Sequence, residues 1–379
     1  MTSNGSQRRW LSVRRYLNAS RAALTATASH LAEEWPRVEP GLIAYPEWLP
    51  DRPVPLDQVR LDWVADPPPP RVTGTEAESF LVRPLRPDGQ RYDSYAEALA
   101  DVDPPALLDN RPCYRLLTST ADPGGGARLG LAAAHYFDGI NVAEAVAHEL
   151  AAVWMASGDR GGRADVMRTD LPLRARLGDP GDLAARTVVP ALCTLTVRHD
   201  ADSGDASFLL HWRDPARVAS GGGMYQVAPV GVFQPAGGAK DPGDPLADPD
   251  FDLWRCMARE MHEELLGAAE HRGLDYRDWP FLGRLEEARE KAGCRPYYLG
   301  FGIDPLTFVA DLMTVAVFDA VTFDEMFADL VTDNAEGRLT TGVAFTEENV
   351  MRYTTEEPMQ PAGAALLRLA WRHRDILLG

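Results

Sequence analysis

The 379-residue chain has almost no lysine: of its 38 basic residues, only Lys240 and Lys291 are not arginine. Positive charge is scarce altogether, with 38 Lys+Arg facing 56 Asp+Glu for a formal net charge of −18. A surface with that balance repels phosphate backbones and anionic headgroups, which argues against a general nucleic-acid or membrane-surface binder. Long apolar runs are missing too, since no stretch approaches the roughly 18 consecutive apolar residues of a membrane span. Arg8, Arg9, Arg14 and Arg15 near the start have no apolar core behind them, so no secretory signal is read there. Cys113, Cys193, Cys256 and Cys294 are far apart and form no CxxC pair, which argues against structural zinc and a disulfide framework and points to a cytoplasmic protein. What is present, 45% hydrophobic and 25% charged residues, is the composition of an ordinary globular protein, and the length suggests two domains.

Hydrophobic periodicity predicts helices over residues 17–34, 141–156, 323–331 and 362–378, and strands over 59–64, 79–82, 113–118, 127–135, 297–303 and 312–318. Residues 192–197 and 207–212 read as a hairpin around a loop at 200–205, and 224–233 as a further strand region. The proline run 67–70 is an extended, stiff segment. A Gly- and Arg-rich stretch from 158 marks a connection, which places a domain boundary near residue 180. The expectation is an α+β protein with an N-terminal domain over 1–180 and a second domain over 181–379.

The chemistry concentrates in Arg259-Glu260-Met261-His262-Glu263-Glu264-Leu265-Leu266-Gly267. Asp248 is the expected N-cap of this helix, Pro249 opens its first turn, and Gly267 follows its end. Leu253, Trp254, Met257, Met261 and Leu265 form the apolar stripe. At α-helical spacing Glu260, Glu263 and Glu264 stand on one face. Like charges at i and i+4 near the negative end of the helix dipole cost a few tenths of a kcal/mol per pair. Acids set against two local preferences suggest a compensating ligand, and hard oxygen donors suit Mg²⁺ or Mn²⁺. The competing reading is a solvated acidic face.

This segment resembles the signature helix of the Nudix hydrolase superfamily, whose box runs Gly-x5-Glu-x7-Arg-Glu-U-x-Glu-Glu-x-Gly-U with U aliphatic. Arg259, Glu260, Met261, Glu263 and Glu264 match its core in register. Residues 208–213 are similar to the family's LLxxR strand, and 225–231 (YQVAPVG) to the strand that ends in its Pro-Gly-Gly turn. Residues 297–305 and 310–318 are similar to its later strands, so the resemblance spans about residues 186–379. Pro245 stands where the box has its first Gly; taking Gly231 as that Gly implies about 14 inserted residues centred on 236–248. The isolated Glu of the box, which in that family holds the Arg, falls here on Phe251, between Asp250 and Asp252, and Gly267 is one place late.

The resemblance implies a Nudix-like α/β/α sandwich with a mixed sheet, and metal-assisted hydrolysis of a nucleoside diphosphate linked to another group. Glu260, Glu263 and Glu264 would hold the Mg²⁺ or Mn²⁺, with Glu263 and Glu264 also catalytic, and Arg259 would orient the carboxylates. Glu347, in the loop-to-helix segment 346–349, is a further candidate base; its competing reading is a first-turn acid behind the N-cap Thr346. Arg213, Tyr225 and Tyr298 are candidate contacts to a small phosphorylated substrate. The N-terminal half would shape the pocket or mediate homodimerisation. Two other functions compete: a catalytically silent Nudix-like sensor or scaffold that binds a nucleotide or metabolite, and the same fold turned to another small-molecule reaction.

Other constellations are weaker. Glu144, His148 and Glu149 share a helix, but H-E-x-x-H needs a second His that is absent, and His148 reads as a buried, hydrogen-bonded side chain. The glycine runs 124–126 and 221–223 precede strands and read as turns. An echo links Asp122-Pro123, Phe137-Asp138 and Glu144 with Asp304-Pro305, Phe318-Asp319 and Glu325, which suggests that the N-terminal half is a diverged second copy of the same fold.

Overall fold

The computed structural model describes residues 4–105, 108–122, 125–157, 170–214, 222–236, 248–270, 273–333 and 337–379. The expected connection at 158–162, Pro123, Gly124, Gly221 and most of the expected insertion, 237–247, lie outside the described residues. In chain order the strands are β1 (Arg37–Val38), β2 (Leu42–Ile43), β3 (Val54–Pro55), β4 (Val59–Trp63), β5 (Pro112–Ala121), β6 (Ala127–His135), β7 (Pro190–His199), β8 (Ala206–Arg213), β9 (Met224–Val227), β10 (Val230–Val232), β11 (Cys294–Ile303), β12 (Ala310–Asp319) and β13 (Gly337–Ala344). The helices are α1 (Gly5–Ala19), α2 (Arg21–Leu31), α3 (Tyr95–Val102), α4 (Tyr136–Ser157), α5 (Pro172–Leu177), α6 (Leu253–Glu260), α7 (Pro280–Glu290), α8 (Ala320–Met326), α9 (Glu347–Thr355), α10 (Pro361–Arg372) and α11 (Arg374–Leu378).

The α+β class expected from the sequence is observed. Among the described residues ten strands form one mixed sheet along the path β1-β2-β11-β12-β7-β8-β13, with β3 beside β11, β10 beside β7 and β9 beside β8. β7 and β12 run parallel and the other pairs antiparallel. Alternate side chains point to opposite faces, so each strand serves two cores. Leu192, Leu209, Leu312, Ala316 and Phe318 face α6 and α7. Leu195, Val197, Leu210, Val315 and Val317 face α9 and α10. Each fully buried aliphatic side chain stabilises the fold by about 1.5–3 kcal/mol.

A second sheet, β4-β6-β5, packs into the same core as α6. Backbone bonds from Leu116 N to Val188 O (2.8 Å) and from Tyr114 N to Phe233 O (3.5 Å) join β5 to the second half of the chain. Residues 37–55 contribute β1, β2 and β3 to the larger sheet, so that sheet draws strands from both sides of residue 180. The internal echo has a topological counterpart: β4 is parallel and β5 antiparallel to β6, just as β7 is parallel and β11 antiparallel to β12. The echoed acids differ, since Glu144 is buried and Glu325 exposed.

Some local expectations change. Residues 77–82 form a 3₁₀ helix, not a strand, and the helix expected at 323–331 begins earlier, where Asp319 caps α8 by accepting from Thr322 N (2.9 Å). The C-terminal helix breaks at His373 into α10 and α11. Helix α7, opened by Pro280, was not foreseen. His148 is buried in α4 as read, with Nδ1 3.1 Å from Tyr95 Oη and its ring stacked on Trp10, and Glu144 pairs with Arg14 (3.4 Å) and Arg21 (3.7 Å). Burial pushes the His148 pKa down to about 3, which keeps the ring neutral.

The scarcity of lysine has a structural counterpart in four buried arginines that grip peptide carbonyls. Arg83 donates to the carbonyls of Tyr92, Asp93 and Thr75. Arg115 spans Pro68 O and Ala184 O, both at 2.9 Å, and so pins the proline run. Arg174 holds Pro305 O (2.7 Å) and Leu306 O (2.6 Å); Arg186 holds Pro180 O (3.1 Å) and Phe308 O (3.0 Å). A planar guanidinium reaches two carbonyls on different segments at once, which an ammonium does poorly. Arg115→Lys and Arg186→Lys are each expected to lower the unfolding free energy by about 2–3 kcal/mol in urea titrations, and losses below about 0.5 kcal/mol would refute the carbonyl-gripping role.

Asp311 on β12 is the buried acid of the sheet. Burial, with Asp304 nearby, pushes its carboxyl up to about 7, while the Cys193 thiol, 3.2 Å from Oδ1, partly opposes the shift. A value raised above that of the unfolded chain stabilises the fold below about pH 4, and this contribution is lost as pH rises through about 7. Asp311→Asn is therefore expected to gain stability relative to the parent protein between pH 4 and pH 8. Parallel stability profiles across that window would contradict the assignment.

Candidate functional site

Helix α6 begins one turn later than the sequence suggested. Its N-cap is Asp252, whose carboxylate accepts from Arg255 N at 3.0 Å, whereas Asp248 caps the preceding turn by accepting from Asp250 N (2.9 Å). The expected stripe is buried: Leu253, Trp254, Met257, Met261 and Leu265 all lie in the core shared with the sheet. Met261–Leu265 forms a single wider, π-type turn that closes at Gly267, whose φ of +67° suits a residue without a Cβ.

That turn changes the phase of the acids. An i→i+5 turn advances less per residue than an α-helical one, so residues four apart come closer to one line and the residue three along falls away from it. Glu264 Oε1 accepts from Val230 N on β10 at 3.2 Å. The Glu260 carboxyl lies directly over Gly231, where any Cβ would collide with it. Glu263 is half-buried on the same turn. Two of the three acids, Glu260 and Glu264, thus reach β10. Among the described residues no three His, Cys, Asp or Glu side chains are grouped to hold a metal ion.

Arg259 is 3% exposed and its guanidinium ties three segments together. Nη1 donates to Asp250 Oδ1 (3.0 Å) and contacts Tyr276 Oη (2.5 Å), and Nη2 donates to Gln234 O (2.7 Å). The Tyr276 hydroxyl also donates to Asp250 Oδ1, while Asp250 Oδ2 accepts from Ala236 N at 2.8 Å. Gln234 precedes the expected insertion, Ala236 opens it and Asp250 follows it, so one clasp closes both of its ends. Burial alone would lower the arginine's pKa; Cys256, Tyr276 and Asp250 outweigh it and hold the guanidinium charged. The acid that holds this arginine is therefore Asp250, nine residues before it, in place of the eight-residue spacing that falls on Phe251.

The remaining candidates separate. Arg213 ends β8, paired with Met224 and Gly337. Tyr225 packs on Trp212 (4.8 Å) and Tyr353 (5.2 Å) against the α9–α10 layer, on the face of the sheet opposite α6. Tyr298 is 1% exposed in the core and has no surface to offer a substrate. Glu347 is an exposed first-turn residue of α9 behind the N-cap Thr346, as its competing reading held. Because β13 runs from Gly337 beside Arg213 to Ala344 beside Ser207, Glu347 emerges at the other end of β8 from Arg213. Tyr225, Tyr298 and Glu347 are thus not gathered with the acids. Tyr276 was missed, since nothing at 17 residues' separation signals a hydrogen bond to Arg259.

No protein-family model matches the chain, and no curated protein matches it. The resemblance therefore rests on the residues themselves. Arg259→Lys is expected to cost about 2–4 kcal/mol of stability, because one ammonium cannot serve Asp250, Tyr276 and Gln234 together. In a double-mutant cycle Arg259→Lys and Asp250→Asn should be strongly non-additive, and additive losses would show that the clasp is not a unit.

Proposed function

We propose that the second half of the chain is a Nudix-type hydrolase that uses Mg²⁺ or Mn²⁺ to cleave the diphosphate linkage of a nucleoside diphosphate derivative. The carrying observation is the Arg259–Asp250 clasp, an arginine held by an acid from across the insertion. It is the relation that the box implies for its isolated acid, reached here at a different spacing. The mixed sheet between the α6–α7 and α9–α10 layers supports the same reading.

The donor set fits a small hard cation. Glu260 and Glu264 bring carboxylate oxygens to β10, where Gly231 supplies a bare backbone, and Glu263 follows on the same turn. Mg²⁺ is commonly held by one or two carboxylates completed by water and substrate phosphates, so a protein site of few ligands suffices. A bound cation would neutralise the diphosphate and acidify the attacking water. Arg259 fixes the start of the acidic turn, Glu264 is oriented by Val230 N–H, Glu263 or Glu264 accepts the proton from water, and Arg213 attracts the substrate's negative charge.

The test is turnover of nucleoside diphosphate derivatives with Mg²⁺ or Mn²⁺. The expected outcome is cation-dependent cleavage, lowered about 100-fold or more in Glu263→Gln or Glu264→Gln, and also lowered in Gly231→Ala, whose methyl displaces Glu260. No cleavage, together with nucleotide-induced stabilisation that a chelator leaves unchanged, would favour a silent binding module.

A further inference from the structure

A cleft of about 240 Å³ lies where the segment after β3 meets the end of α7 and the start of β11. Sheet pairing and one ion pair fix its walls. Pro55 on β3 is paired with Tyr297 on β11, and Asp57, two residues further along, meets Arg289 at 3.2 Å. Leu56 and Pro296 are buried and Tyr297 is half-buried, so the lining between the charged groups is apolar.

Two guanidiniums line the cleft, and they are not equivalent. Arg289 is neutralised by Asp57 and, at 3.9 Å, by Glu286. Arg295 is half-buried, and its guanidinium joins no hydrogen bond or ion pair among the described residues. In a chain with 56 acidic against 38 basic residues, an arginine that no acid takes up is open to an anion from outside. The lining restricts that anion. A guanidinium matches a carboxylate through two parallel N–H···O bonds. Asp57 beside it and the net charge of −18 oppose a second negative charge, which disfavours a phosphate dianion. The volume falls below the roughly 300–1,000 Å³ of pockets that hold drug-sized ligands, which limits the occupant to a small molecule.

We infer that this cleft binds a small monocarboxylate with an apolar body, the carboxylate on Arg295 and the body against Pro55, Pro296 and Tyr297. Both halves of the chain build the site, and it does not depend on the hydrolase reading. Arg289 connects it to the helix of the acids: its guanidinium lies 5.5 Å over the ring of Trp254, whose Nε1 donates to Glu286 Oε1 at 2.9 Å. Occupancy can therefore be read at Arg289 as well as at Arg295.

The test uses the full chain with benzoate as probe, followed by NMR at the assigned arginine Nε–H signals. The expected result is a saturable shift of Arg289 and Arg295 with a dissociation constant of about 1 mM. Read at Arg289, binding should weaken about tenfold or more in Arg295→Gln. Because Arg295 is half-buried and unpaired, that variant should keep its unfolding midpoint within about 1 °C of the parent. Benzamide, the neutral isostere, should shift neither signal. Equal shifts with benzamide would overturn carboxylate recognition, and displacement of benzoate by a lower concentration of inorganic phosphate would overturn the monocarboxylate class. No saturable shift up to about 20 mM benzoate would overturn the site itself.

Discussion

The candidate site depends on one buried guanidinium. Arg259 reaches Asp250, Tyr276 and the Gln234 carbonyl from a single position on α6, and each partner comes from a different stretch of chain. Removing it would strip the part-buried Asp250 carboxylate of its charged donor and the Gln234 carbonyl of the guanidinium it accepts from, the costly side of hydrogen-bond energetics. With it, the exit from β10 and the start of α6 are fixed relative to each other, and the acids one turn further along inherit that placement. Glu260 over Gly231 and Glu264 on Val230 N–H are consequences of where Arg259 holds the helix.

The same chemistry recurs at a distance from the site. Arg83, Arg115, Arg174 and Arg186 grip carbonyls of loops, turns and one short 3₁₀ helix, including the proline run and the turn at Pro305 to Phe308. A chain with two lysines has few ammonium groups to set against its acids, and its arginines are partly spent inside. The surface therefore carries an acidic excess that opposes anions, so the diphosphate substrate proposed above would require a cation for binding as well as for chemistry.

Patterns that act over one turn or one strand were legible in the sequence. The alternation of 207–212, the stripe of Leu253, Trp254, Met257, Met261 and Leu265, and the stop at Gly267 each follow from short-range periodicity. The N-cap was misplaced because Asp248, Asp250 and Asp252 are equally good capping residues, and only tertiary contacts assign them separate tasks. The wide turn at Met261–Leu265, which carries Glu263 and Glu264, has no signature in residue type. Tyr225 and Tyr298 looked available because aromatics on a strand do not reveal which face another layer covers. Tyr276 meets the clasp only through the fold.

The most direct measurement is Mn²⁺ binding to the full chain in the presence of ADP, followed by electron paramagnetic resonance. One bound ion per chain in the parent protein, lost in the Glu260→Gln/Glu264→Gln double variant and weakened in Asp250→Asn, is the result predicted when the clasp sets the acids for a cation. Mn²⁺ signals identical across the parent and both variants would contradict it.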